Sequence, residues 1–171
     1  MANVLTFRPT NEPQVIWSLG DVKVSAIRST HIAGHASYRV DTPAGSVVIG
    51  GDAGNDKPAP PRDTSTSGQV ELLAKGADVI VHSTIHPVMG PDRDSGMPAP
   101  IFFRQSTAAD LGAMAQRAGA KHLVLTHLIP PLGASETAAW KVPGGAVTED
   151  GGLRGQTLVA KDLVSLRVPA K

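Results

Sequence analysis

Three short segments place metal-binding side chains where strands are expected to end. Thr30-His31-Ile32-Ala33-Gly34-His35 lies between two strand-like stretches, Gly50-Gly51-Asp52-Ala53-Gly54 follows an apolar run, and Thr126-His127 follows Leu123-Val124-Leu125. Strand-end loops on a rigid scaffold are where functional groups collect. His31, Asp52 and His127 make a donor set of two imidazoles and one carboxylate. Such a set suits zinc, with iron and manganese as alternatives, and one Asp can bridge two ions that jointly activate water. The chain has no cysteine, which excludes thiolate ligands, disulfides and Cys nucleophiles, so any metal must be held by His and carboxylate.

Plainer readings stand beside these. A strand-end histidine can be satisfied by backbone, and Asp52 before Gly54 can be an Asx turn. His35 reads as a hydrogen-bond partner that orients a ligand, while His82 and His86 either line a pocket or pack. His122 opens a buried strand and reads as structural, and Gly50-Gly51 reads as a place of close backbone approach.

The elements that must position these groups follow from periodicity. From Asp21 to Arg28 apolar side chains fall at every second position, as a half-buried strand requires, with Val15-Ile16-Trp17 as the hairpin partner. Ser37 to Asp41 and Ser46 to Ile49 form a second hairpin around Thr42-Pro43-Ala44-Gly45. Gly54 to Ser67 reads as an irregular loop. Then a helix–strand unit appears twice: Val70 to Gly76 leading into Ala77–His82, and a helix capped by Ser106 or Thr107, stopped at Gly119, leading into Lys121–His127. Thr84 to Phe103 reads as a long ordered loop over a site. Gln156 to Ala160 and Leu163 to Val168 are expected to close the fold as strands. Helices packed on a sheet, in a single domain over 1–171, give an α+β class.

Bulk properties narrow the function classes. The 171 residues are 41% hydrophobic and 18% charged with a formal net charge of +1, inside the globular range. Sixteen Lys and Arg residues are scattered singly, which gives the expectation of no nucleic-acid partner. Met1 to Pro9 has no signal-peptide pattern and no apolar run approaches the ~18 residues of a membrane span. The expectations are therefore no membrane partner and a cytoplasmic location for the chain as written.

In this order, His31 with Gly34-His35, Gly51-Asp52, and Leu125-Thr126-His127 resemble the metallo-β-lactamase superfamily, in particular its ribonuclease Z and arylsulfatase-like branch. Ala74-Lys75-Gly76-Ala77-Asp78-Val79-Ile80-Val81-His82 is similar to that family's helix-to-strand passage. The resemblance implies the C-terminal half of an αββα fold, a mixed sheet with helices on one face. It implies His31, Asp52 and His127 as metal ligands, one or two zinc ions, and a metal-bound hydroxide as nucleophile. Two departures matter. The family's His-x-His-x-Asp-His loop occurs nowhere in the chain, so the N-terminal half is expected to be missing and each of two ions would keep about two protein ligands. Where ribonuclease Z-like enzymes carry His-Ser-Thr, this chain has Gln105-Ser106-Thr107, and Gln105 cannot protonate a leaving group.

That loss favours substrates whose leaving group departs unassisted, such as an activated ester, a lactone or an aryl halide. His82-Ser83-Thr84-Ile85-His86-Pro87 with Arg104 to Thr107 is similar to the chlorothalonil hydrolytic dehalogenase relatives. The expectation is a zinc-dependent hydrolase of a small organic substrate, with dehalogenation of an electron-poor aryl chloride as its specific form. Asp52 and His82 are the expected catalytic residues, and His86, Phe103, Gln105 and Trp140 the substrate contacts. The rival is a noncatalytic truncated remnant or subunit that acts as a protein-interaction module, with self-association through an exposed half-fold face.

Overall fold

The computed structural model describes residues 6–55, 67–131, 156–160, 163 and 165–167. The alternating stretch forms β2 (Val22–Arg28), antiparallel to β1 (Gln14–Leu19), and the second hairpin forms β3 (Ala36–Thr42) and β4 (Gly45–Gly51). Three parallel strands then add beside β4 in succession: β5 (Val79–Ile85), β6 (His122–Ile129) and β7 (Gln156–Val159). The result is one mixed seven-stranded sheet in chain order.

α1 (Gly68–Ala74) and α3 (Ala108–Ala118) carry the chain back between the parallel strands, and a short α2 (Ala99–Phe102) precedes α3. The bounds of α3 follow from local chemistry. Thr107 Oγ1 accepts from the Asp110 amide, the Asp110 carboxylate accepts from the Thr107 amide, and Gly119 ends the helix in the left-handed region at φ +71°.

The core lies between this helical layer and one face of the sheet. Ile27, Val48, Ile80, Leu123 and Leu125 meet Val70 and Leu73 of α1 and Leu111, Met114 and Ala115 of α3, all fully or almost fully buried. Truncating one of the larger of these to Ala costs about 2–5 kcal/mol. At the start of β5, the buried Asp78 carboxylate accepts from the Ser46 amide and hydroxyl and from Lys121 Nζ at 2.7 Å, tying β4, β5 and β6 at one end. The Lys121 hydrogen bond, helped by Ser46, holds this carboxyl well below the usual carboxylate range against the opposing effect of burial.

The other face of the sheet is apolar as well. Register aligns Trp17, Val24, Val40, Val47 and Val79 across five strands, with Tyr38, Ile49, Val81 and Val124 in the next row. Trp17 and Ile49 are 41% and 44% exposed there. Phe7 meets Tyr38 edge-on at 6.1 Å. Among the described residues, helices cover the opposite face only.

Two expectations are corrected. Leu163 is fully exposed and left-handed at φ +65°, a turn conformation unfavourable to a strand, and the described residues from Leu163 to Arg167 are not extended into the sheet. The segment expected as one loop from Thr84 to Phe103 starts after Ile85. It contains 3₁₀ turns at Pro87–Met89 and Pro91–Arg93 as well as α2, because proline is pre-set for the first position of a helical turn. Of the loop expected over Gly54 to Ser67, residues 56–66 lie outside the described residues.

Candidate metal centre

β2 runs antiparallel to β3 and β3 to β4, so β2 and β4 end on the same edge as the parallel β5 and β6. His31 follows β2, Asp52 follows β4 and His127 lies near the end of β6, which brings all three to one edge. The carboxyl ends of parallel strands are where open sheets of this kind bind ligands.

Backbone bonds lock the first two loops together. Ser29 N donates to His35 O and His35 N to Ile32 O, closing the His31 loop, and Gly54 N donates to Thr30 O at 2.6 Å, joining it to the Asp52 loop. His31 Nε2 stands 4.0 Å from Asp52 Oδ2, both side chains partly exposed. The His35 ring packs edge-on to His31 with centroids 5.2 Å apart.

His127 is placed by a bulge. Ser83 pairs with Thr126 and Thr84 with Leu128, so His127 is the extra residue, at φ +44° and exposed. Non-glycine residues in the left-handed region cost about 1–3 kcal/mol and cluster at functional sites. With β5 between them, the backbones of β4 and β6 are about 10 Å apart.

His82 stands beneath this edge rather than on it. It has no exposed surface, its Nδ1 is 2.7 Å from Ser83 O, and among the described residues its Nε2 has no hydrogen-bond partner. Since a carbonyl only accepts, Nδ1 carries the proton and the lone pair of Nε2 is the unsatisfied group. Burial pushes its pKa down to about 4, so the ring is neutral. His35 is lowered too, first by burial and then by the neighbouring His31.

The expected substrate contacts are scattered. His86 caps the first 3₁₀ turn, its Nδ1 accepting from Val88 N. Phe103 packs edge-on to the buried Phe102 at 5.5 Å. Gln105 lies two residues before the cap of α3, and its carbonyl accepts from Asn55 Nδ2, tying it to the Asp52 loop. Trp140 lies outside the described residues. A cavity of about 430 Å³ instead opens beside His31, between the Arg28–Gly34 segment and Gln69. Nothing in the local sequence pattern marks Gln69, which reaches the site only because α1 packs under β2.

No family model matches the chain. It is 26% identical to ribonuclease Z of Mycobacterium tuberculosis over 127 residues, 73% of this chain and 42% of that protein. Against ribonuclease Z of a Mycobacterium species the identity is 27% over 129 residues, 74% of this chain and 41% of that protein. The metallo-beta-lactamase fold protein YhfI from Bacillus subtilis superposes with a TM-score of 0.54 at 19% identity, over 91% of this chain and 52% of that one. Human tRNase Z, short form, superposes with a TM-score of 0.57 at 17% identity, over 93% and 47%. The chain has the metallo-β-lactamase fold, and in sequence it is similar to ribonuclease Z. It spans about half the length of these relatives.

The likeness to ribonuclease Z overturns the expectation of no nucleic-acid partner, because the relatives matched in sequence are named for action on RNA. Scattered basic residues argue against a long phosphate-tracking groove. They say nothing about a single phosphodiester met at a metal centre, where the ion is the largest local charge. No helix among the described residues is long and apolar enough to cross a membrane.

The residues fit a metal in kind and fall short in number. Two donors on one tetrahedral zinc stand about 3.4 Å apart, so the 4.0 Å pair closes with a small side-chain rotation. Among the described residues, however, no three His, Cys, Asp or Glu side chains converge on one point as they stand.

Proposed function

We propose that the chain carries part of the metal centre of a metal-dependent hydrolase, with His31, Asp52 and His127 as its donors. The observation that carries this is the His31–Asp52 pair, 4.0 Å apart on two loops bonded to each other at a shared sheet edge. A zinc ion bound there would supply a Lewis acid and lower the pKa of a water molecule towards neutrality. The chain's own part is to hold the donors rigid through Gly54 and Thr30, and to keep the loop from His86 to Gln105 against the Asp52 loop through Asn55.

Two substrate classes follow from different observations. The ribonuclease Z relatives favour a phosphodiester. Gln105, which cannot donate a proton to a poor leaving group, favours an activated substrate such as an electron-poor aryl chloride. The test incubates the 171-residue protein, with and without added zinc, with a short RNA, a nitrophenyl phosphodiester, a lactone and an aryl chloride. Zinc-dependent turnover of any of them that is lost in Asp52→Asn supports a hydrolase; no turnover supports the second reading.

That second reading is an interaction module. The apolar rows from Trp17 to Val79 and from Tyr38 to Val124 favour it, since an open sheet face of this kind needs a covering layer.

A further inference from the structure

The sheet face turned away from α1 and α3 has the composition of a contact surface rather than of a wetted one. On β2 and β3 the charged side chains Lys23, Arg39 and Asp41 fall in register with Ser25 and Val48, on the face that carries the helices, and Arg39 Nη1 donates there to the carbonyls of Leu73 and Lys75. The alternate positions form the two apolar rows, from Trp17 to Val79 and from Tyr38 to Val124, which contain no Asp, Glu, Lys or Arg. An antiparallel sheet with a solvated face carries its polar residues on that face. Here polar side chains stand only towards the two edges: Gln14 of β1 pairs with Ala26, and beyond Val79 the row runs on to His122 of β6 and Gln156 of β7. An apolar centre with Trp and Tyr inside a polar margin is the anatomy of a protein–protein interface.

Extent and shape select the occupant. Seven strands about 4.8 Å apart, most of them seven residues long, give a face on the order of 29 by 23 Å. Two copies joined through it bury on the order of 1,300 Å², inside the range of about 1,200–2,000 Å² of stable specific interfaces. A twisted sheet is best covered by a second sheet of the same hand, laid face to face about 10 Å away with the strands about 30° apart. A second copy necessarily has that twist, and two-fold symmetry brings the same apolar patch to bear on itself. The formal net charge of +1 puts little repulsion between copies. The product has four layers, helix–sheet–sheet–helix, with both apolar faces inside.

We infer that this face is a homodimer interface, in which two copies of the chain pack sheet against sheet through Trp17, Val40, Val47 and Ile49. This rests on the interaction-module reading above and names its partner. Trp17 and Ile49, 41% and 44% exposed in the single chain, are covered in the pair.

The test is sedimentation equilibrium of the 171-residue chain over a wide concentration range. Wild type should approach twice the 17.7 kDa of the single chain. Ile49→Glu and Trp17→Glu replace side chains that are already partly exposed, so the single chain keeps its fold, as circular dichroism checks, while each puts an unpaired carboxylate into the paired face. Each should weaken dimerisation on the order of 100-fold. Val15→Glu lies on the same edge strand but is paired with Ser25 on the helix-bearing face and is 61% exposed, so it should leave dimerisation unchanged. A wild type that stays monomeric overturns the inference, as does a dimer that both face variants leave intact or that Val15→Glu weakens equally. If the monomer then binds an apolar-surface dye such as ANS, the interaction-module reading survives the loss of the dimer; if it binds none, both fail.

Discussion

A Cβ on Gly50 would stand 2.2 Å from Cδ2 and 2.8 Å from Nε2 of the His82 ring, so the buried imidazole occupies the space that any side chain at position 50 would need. Gly50→Ala must therefore push a fully buried ring aside, at a cost of about 1–3 kcal/mol. Removing the ring relieves the clash, so Gly50→Ala with His82→Ala should be less destabilised than the sum of the single variants. Urea denaturation of all four proteins measures this coupling, and strictly additive effects would refute the contact.

The same burial makes stability depend on pH. His82 titrates at about 4 in the folded chain and near 6.5 when unfolded, so below pH 6.5 the unfolded state binds more protons and stability falls. The loss is absent above pH 6.5, grows as pH falls to about 4, and reaches on the order of 3 kcal/mol. Asp78, with its lowered pKa, adds a loss only below the ordinary carboxylate range near 3.8, so the two windows separate. Denaturation at pH 7, 5.5 and 4.5 should show the slope in wild type and a much flatter line in His82→Leu.

At Gly54 the obstacle is backbone. A Cβ there would lie 1.8 Å from the Arg104 carbonyl oxygen, which accepts from Asn55 N at 2.9 Å. Gly54→Ala should cost about 2–3 kcal/mol by breaking the bonds from Asn55 to Arg104 and Gln105. Its effect should appear first as faster proteolysis and amide exchange between His86 and Gln105, with α3 and β6 still protected.

Asp78 is 4% exposed on its side chain and Lys121 is 56% exposed, so the two halves of their ion pair differ in consequence. Asp78→Ala leaves the Ser46 amide and hydroxyl without their acceptor inside the fold and should cost about 3 kcal/mol or more. Lys121→Ala leaves Asp78 its Ser46 bonds and should cost about 1 kcal/mol or less. Equal losses in thermal unfolding would contradict this account of the β4–β6 junction.

Much of this was legible where the determining chemistry is local. Alternation marked β2, Thr107 and Gly119 bounded α3, and strand ends placed His31 and Asp52 in loops, whereas His127, expected to begin a strand-end loop, lies inside β6, which continues to Ile129. What was not legible depends on partners distant in the chain. The burial of His82 is set by Gly50, 32 residues away across a parallel pairing, and the His35 ring is bonded to Ser29, just after β2, which is bonded in turn to Ser37 on β3. The bulge that puts His127 at positive φ comes from a register shift between β5 and β6, which no single segment encodes. Sparse basic charge misled because it describes an extended binding surface and says nothing about a single phosphodiester met at a metal centre.

The central claim is that His31 and Asp52 are a metal-binding pair. Calorimetric titration of Zn²⁺ into the 171-residue chain and into Asp52→Asn, with folding checked by circular dichroism, tests it most directly. The account predicts saturable binding to wild type and at least about tenfold weaker binding to a folded Asp52→Asn. Equal affinity in the two proteins, or no binding to wild type, would contradict it.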